Sequence, residues 1–117
     1  MATLLMYLAL ASFTSFRADV SGVWSLEMRW SGNDNVSTGV CTLKQGDGKL
    51  TGKCQENSTI SGEVRDRQLT WNVDVNENDQ KGRMTFEGTL DDAGTTITGK
   101  CAIPDGPTGT FIMKKKQ

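Results

Sequence analysis

Gly22-Val23-Trp24-Ser25-Leu26-Glu27-Met28-Arg29-Trp30 alternates large apolar and polar side chains from Trp24 onward. Successive side chains of an extended chain point to opposite faces, so Trp24, Leu26, Met28 and Trp30 share one face while Ser25, Glu27 and Arg29 share the other. A helical period of 3.6 would mix these two sets, so the stretch predicts a strand with one apolar and one wet face. Leu69-Thr70-Trp71-Asn72-Val73-Asp74-Val75 repeats the pattern.

Outward from these two stretches, Gly, Asp and Asn punctuation divides the chain into short runs with the strand period. Eight strands are expected, at 22–30, 37–45, 49–55, 58–64, 67–75, 82–90, 95–102 and 108–114. Connections such as Gly46-Asp47-Gly48, Arg65-Asp66 and Asp91-Asp92-Ala93-Gly94 are short, so each strand returns antiparallel beside its predecessor. The apolar parity persists through Cys41 and Leu43, Leu50 and Cys54, Ile60 and Val64, Met84, Phe86 and Leu90, Ile97 and Cys101, Phe111 and Met113. A sheet with one apolar face and no helix to cover it must fold onto itself, which also removes its exposed edges. The expected fold is all-β, an eight-stranded antiparallel up-and-down barrel. Gly39, Gly52, Gly62, Gly88 and Gly99 fall on the inward parity, where sharply coiled strands would crowd a side chain.

An internal echo supports the hairpin as the unit. Leu50-Thr51-Gly52-Lys53-Cys54 matches Ile97-Thr98-Gly99-Lys100-Cys101, about 47 residues apart, the size of half a barrel.

Composition excludes much chemistry. Thirteen basic against 14 acidic residues give a net charge of −1, so no basic excess recruits nucleic acid. Histidine is absent, which removes Ser-His-Asp and Cys-His nucleophiles and His-ligated zinc. The expected inward positions carry no Asp, Glu, Lys or Arg, so no catalytic dyad, metal site or cofactor is expected inside the barrel. The loop acids Asp74, Glu77, Asp79, Asp91 and Asp92 read as solvated turn formers, because Asn76–Gln80 lacks the spacing and glycine of a calcium loop.

Residues 1–18 stand apart from the barrel domain, 19–117. The run from Thr3 to Ala11 has the size of a signal-peptide apolar region and is too short to span a bilayer, which takes about 20 residues. It reads as a secretory signal cut after Ala11 or Ala18, and so as a secreted or periplasmic protein with no stable membrane span. An attached N-terminal helix is the alternative.

Gly22-Val23-Trp24 at the opening of an eight-stranded meander resembles the Gly-x-Trp opening of the calycin barrels, which include lipocalins, fatty-acid-binding proteins, avidins and some bacterial protease inhibitors. The resemblance covers residues 20–114. It implies that Trp24 packs at the barrel floor beneath a basic residue near the end of the last strand, for which Lys114 is the matching position. Avidin-type biotin contacts do not carry over, because Ser25, Leu26 and Glu27 follow the Trp.

The expected function is therefore binding rather than catalysis. A small apolar or aromatic ligand would sit in a pocket made by Met28, Trp30, Trp71, Met84 and Phe86, since Met beside Trp gives an adaptable apolar surface. The opposing possibility is that these side chains fill the interior. The alternative function is a protein-binding barrel that inhibits a secreted hydrolase; an enzyme is third. Residues 12–21 separate the first two, as a packed lid or as a free trunk.

The cysteines follow from register. A turn at Gly46-Asp47-Gly48-Lys49 sets Gln45 opposite Leu50, Leu43 opposite Gly52 and Cys41 opposite Cys54, close enough for a disulfide. Cys101, across the barrel, is expected to be a free buried thiol. Three reduced core cysteines are the alternative.

Overall fold

The computed structural model describes residues 19–116 apart from 33, 34, 56, 57, 78 and 79. The candidate signal sequence at 1–18, Asp79 and the rest of that set lie outside the described residues. Eight strands are formed: β1 (Gly22–Trp30), β2 (Val36–Gly46), β3 (Lys49–Cys54), β4 (Ser58–Arg65), β5 (Gln68–Glu77), β6 (Gln80–Leu90), β7 (Thr96–Ala102) and β8 (Thr108–Lys115). Each pairs antiparallel with the next, and β1 pairs with β8 from Trp24 opposite Lys115 to Trp30 opposite Gly109, which closes the barrel. The expected strands agree with these bounds to within two residues, and the up-and-down topology is the one that parity and short turns demand.

The hairpin joining β2 to β3 shows how local chemistry sets register. Asp47 and Gly48 have φ of 53° and 77°, the left-handed pair of a two-residue turn whose twist matches that of the flanking strands. With Gly46 opposite Lys49, the ladder runs through Gln45–Leu50 and Leu43–Gly52 to Cys41–Cys54. The two cysteines are joined, with Cα atoms 4.0 Å apart, and Cys101 is free and buried. Burial pushes the Cys101 thiol pKa up, because a thiolate would lose its hydration there.

The inward faces merge into one core that includes Trp24, Leu43, Leu50, Ile60, Leu69, Ile97 and Met113, all almost wholly buried. Trp24 anchors one end. Its Nε1–H donates to the Val20 carbonyl at 2.8 Å, while the Val20 N–H donates to Gln45 Oε1 and the Gln45 N–H to Ser21 Oγ, each at 3.0 Å. Val20 is itself fully buried, so residues 19–21 are tied down as part of the barrel floor. This is the described part of the segment 12–21; residues 12–18 lie outside it.

The basic residue over this floor is Lys115, not Lys114. The Lys115 ammonium lies 5.9 Å from the centroid of the Trp24 ring, whereas Lys114 is exposed on the outer face. β8 runs one residue beyond its expected end, and the parity that turns Phe111 and Met113 inward turns Lys115 inward as well. The expectation that no inward strand position carries a charge is corrected by the same residue.

Close strand approach explains one glycine pair and fails to explain another glycine. Gly88 faces Gly99 directly; a Cβ on Gly99 would collide with the Glu87 carbonyl and lie 2.6 Å from the Gly88 Cα, and one on Gly88 would lie 2.8 Å from Phe111 Cζ. Gly39 is uncrowded. A Cβ there would meet only Gln55 Nε2, at 3.9 Å, so its inward hydrogen leaves space instead of relieving a clash.

Two predictions follow from this packing. Trp24→Ala should cost about 3–5 kcal/mol in denaturant unfolding, the range for truncating a buried large aromatic, while Lys115→Ala should cost no more than about 1 kcal/mol, the worth of a partly hydrated cation–π contact. A Trp24→Ala loss under about 1 kcal/mol, the scale of surface substitutions, would contradict the floor assignment. Peptide mapping of oxidised protein should find Cys41 linked to Cys54 and leave Cys101 unmodified by a thiol reagent until the protein is unfolded. A link from either partner to Cys101 would contradict the strand order.

Candidate functional site

Three rings occupy the barrel's middle, brought together by the inward parities of β5, β6 and β8. Trp71 and Phe86, directly paired across strands, stack with centroids 5.1 Å apart and planes 3° apart. Phe111 meets both edge-on, at 5.4 and 5.2 Å. Such stacked and T-shaped contacts add about 0.5–1.5 kcal/mol each beyond area burial, so the trio forms a stiff wall.

On one side of that wall the interior is not filled. A cavity of about 160 Å³ lies between the Trp71–Phe86 stack and the inward faces of β1 and β2. Leu26, Met28, Val73, Val75, Met84 and Met113 supply apolar surface, and the Cys41–Cys54 disulfide forms part of the wall. Gly39 faces the space with no side chain at all. The polar side chains are Gln55 and Ser58, at the end of β3 and the start of β4, while Thr38, exposed on the outward parity of β2, borders the space beside Gly39. Among the described residues no Asp, Glu, Lys or Arg lines the cavity.

Of the residues expected to bind a ligand, the structure brings Met28, Trp71, Met84 and Phe86 together around this space. Trp30 is not among them; it is half-buried at the end of β1, packed against the core beside Gly109. Sequence reasoning missed Thr38, Gly39, Gln55 and Ser58. The signal for Ser58 was present, since it shares the parity of Ile60 and Val64 and is only 7% exposed. Gln55 had none, because it follows the strand with a positive φ of 78°.

A broader concavity of about 1050 Å³ runs over the outer surface. Its wall includes the outward hydroxyls of Thr51, Ser61, Thr70, Thr85 and Thr110 together with Glu63, Glu87 and Lys100. It is more open to solvent and carries charged groups in its wall, so the interior cavity, with its mainly apolar lining, is the better candidate.

Among the described acidic residues, Asp74, Asp91 and Asp92 hold loops and strand faces, while Asp79 and the Glu77 side chain lie outside the described structure. The Asp91 carboxylate accepts the backbone N–H groups of Thr95 and Thr96 at 3.0 and 3.1 Å, and these bonds keep its pKa below the usual carboxylate value. Asp92 pairs with Arg67, and Asp74 with Arg83 at 2.7 Å, which raises the Arg83 pKa. All sit on the outside, away from the cavity.

No family model matches this chain, and no curated protein matches it. Solved structures do. The chain is similar to a redesigned β-barrel, mFAP1, bound to DFHBI, with a TM-score of 0.65 and 17% identity over 82% of this chain and 94% of that one. It is also similar to a second barrel, a de novo designed fluorescence-activating β-barrel, with a TM-score of 0.51 and 15% identity over 82% of this chain and 93% of that one. At these identities the likeness shows the fold alone, a closed eight-stranded antiparallel meander barrel.

Proposed function

We propose that this chain is a secreted or periplasmic, non-catalytic barrel that holds a small apolar or aromatic molecule in its interior. The observation that carries this reading is the unfilled space beside the Trp71–Phe86 stack, edged by Met28 and Met84 and left open by Gly39. Native interiors are close-packed, with few voids larger than a water molecule, so an apolar space of this size is a feature to be accounted for. The thioethers of Met28 and Met84 adapt to an occupant better than branched side chains do. The absence of charged side chains among the described lining residues supports binding over acid–base chemistry, which needs titratable groups at the reacting atoms.

Export is supported by the cross-strand disulfide, a bond that persists in oxidising compartments, and by the apolar run of residues 3–11. Among the described residues no helix is long and apolar enough to cross a membrane. The similar barrel mFAP1 is bound to DFHBI, which supports the capacity of this architecture for binding a small molecule.

Intrinsic fluorescence tests the proposal. Apolar probes such as toluene should shift Trp emission in a saturable manner, and Trp71→Ala should abolish that response while retaining the sheet signature. Gly39→Leu should fill the cavity and weaken probe binding at least tenfold without loss of stability, since the position is uncrowded and has no left-handed φ. Failure of every probe in a broad panel, with a crystal structure showing Met28 and Met84 packed into the space, would contradict it.

A further inference from the structure

From the size, charge and polarity of the cavity we infer the class of its ligand: a neutral, single-ring aromatic molecule carrying one hydrogen-bonding substituent. The inference rests on the interior-binding function proposed above and narrows it.

Size comes first. Drug-sized ligands occupy pockets of about 300–1,000 Å³, whereas an apolar protein cavity of about 150 Å³ stays dry and takes benzene or xenon. The space here, about 160 Å³, belongs to the second group. A single ring fits; a long acyl chain or a fused polycycle does not.

Shape and surface favour a planar occupant. One wall is the parallel Trp71–Phe86 stack, and Phe111, edge-on to both rings, holds them in place. An added ring gains from the same offset-stacked or edge-to-face geometries as the ring pairs already present. Met28, Met84 and Met113 supply soft thioether contacts to a ring face or edge.

Charge then selects neutral molecules. An anion entering this cavity would lose its hydration and find no Lys or Arg among the described lining residues to pair with; the Lys115 ammonium lies over Trp24 at the floor, outside the lining. A cation would likewise find no carboxylate among the described lining residues. A single neutral polar substituent is matched, because Gln55 and Ser58 lie on one side of the cavity and Ser58 is buried. The ring lies against the β5–β6 wall and its substituent points toward the end of β3 and the start of β4.

Calorimetric titration of the full chain at neutral pH distinguishes the possibilities, with phenol, toluene, benzamide, benzoate and dodecanoate as probes. Phenol and benzamide should bind, and benzamide should exceed its charged isostere benzoate by at least tenfold. Ser58→Ala should weaken phenol several-fold and leave toluene unchanged, so toluene also reports that the variant is folded. Benzoate binding as tightly as benzamide, or dodecanoate binding more tightly than phenol, would overturn the ligand class while leaving interior binding intact. An unchanged phenol affinity in Ser58→Ala would overturn the assignment of the polar side. Absence of heat and of fluorescence change with all five probes would contradict interior binding itself.

Discussion

Closure of the sheet is the constraint on which everything else depends. A strand set with one apolar face, and no helix among the described residues, can hide that face only by bringing β1 against β8. The ladder from Trp24–Lys115 to Trp30–Gly109 therefore does two things at once: it pairs the two edges that would otherwise invite aggregation, and it creates an inside. Eight strands enclose an interior just wide enough for side chains to fill. Whether any of it remains empty depends on the volumes placed at each inward position. At the floor Trp24 and Val20 leave nothing; beside Trp71, the glycine at 39 and the small residues Cys41, Cys54 and Ser58 leave room.

Most of the architecture was legible because the strand period is 2, so a single large residue assigns a whole strand's facing. Trp24 fixes β1 and Trp71 fixes β5 in this way, and the Asp47-Gly48 turn then carries the register along β2 and β3 to the disulfide without further information. The failures have equally local causes. Lys114 was matched to the floor through a resemblance instead of parity, and parity alone points to Lys115 once the strand is allowed one more residue. Trp30 shares the inward parity but sits at the strand's last position, where the wall ends and a ring can turn against its neighbours instead of into the cavity. Gly39 could not be told from Gly99, because a missing side chain looks the same in a sequence whether it relieves a clash or leaves a hole.

The internal echo has a structural counterpart. β3 and β7 place Leu50 and Ile97, Gly52 and Gly99, Cys54 and Cys101 at matching inward positions of the two half barrels. In the first half Cys54 faces Cys41; in the second Cys101 faces Phe86. The same hairpin position thus holds a covalent crosslink on one side of the barrel and a ring that helps form the cavity wall on the other. The difference accounts for the single free cysteine and for the aromatic side of the cavity together.

On the proposed reading, function is a matter of interior volume more than of reactive groups: Asp74, Arg83, Asp91 and Asp92 pair or hold turns on the outside, Lys115 covers the floor, and the described lining of the cavity offers rings, thioethers and a few hydroxyl and amide groups. The central claim is that the space beside Trp71 and Phe86 is real, apolar and accessible. A crystal of the protein held under xenon pressure tests it most directly, since xenon enters dry apolar cavities of about this size. The account predicts one strong xenon site in contact with Met28, Met84 and the Trp71 ring. An interior with no xenon, and with those side chains packed against one another, would contradict it.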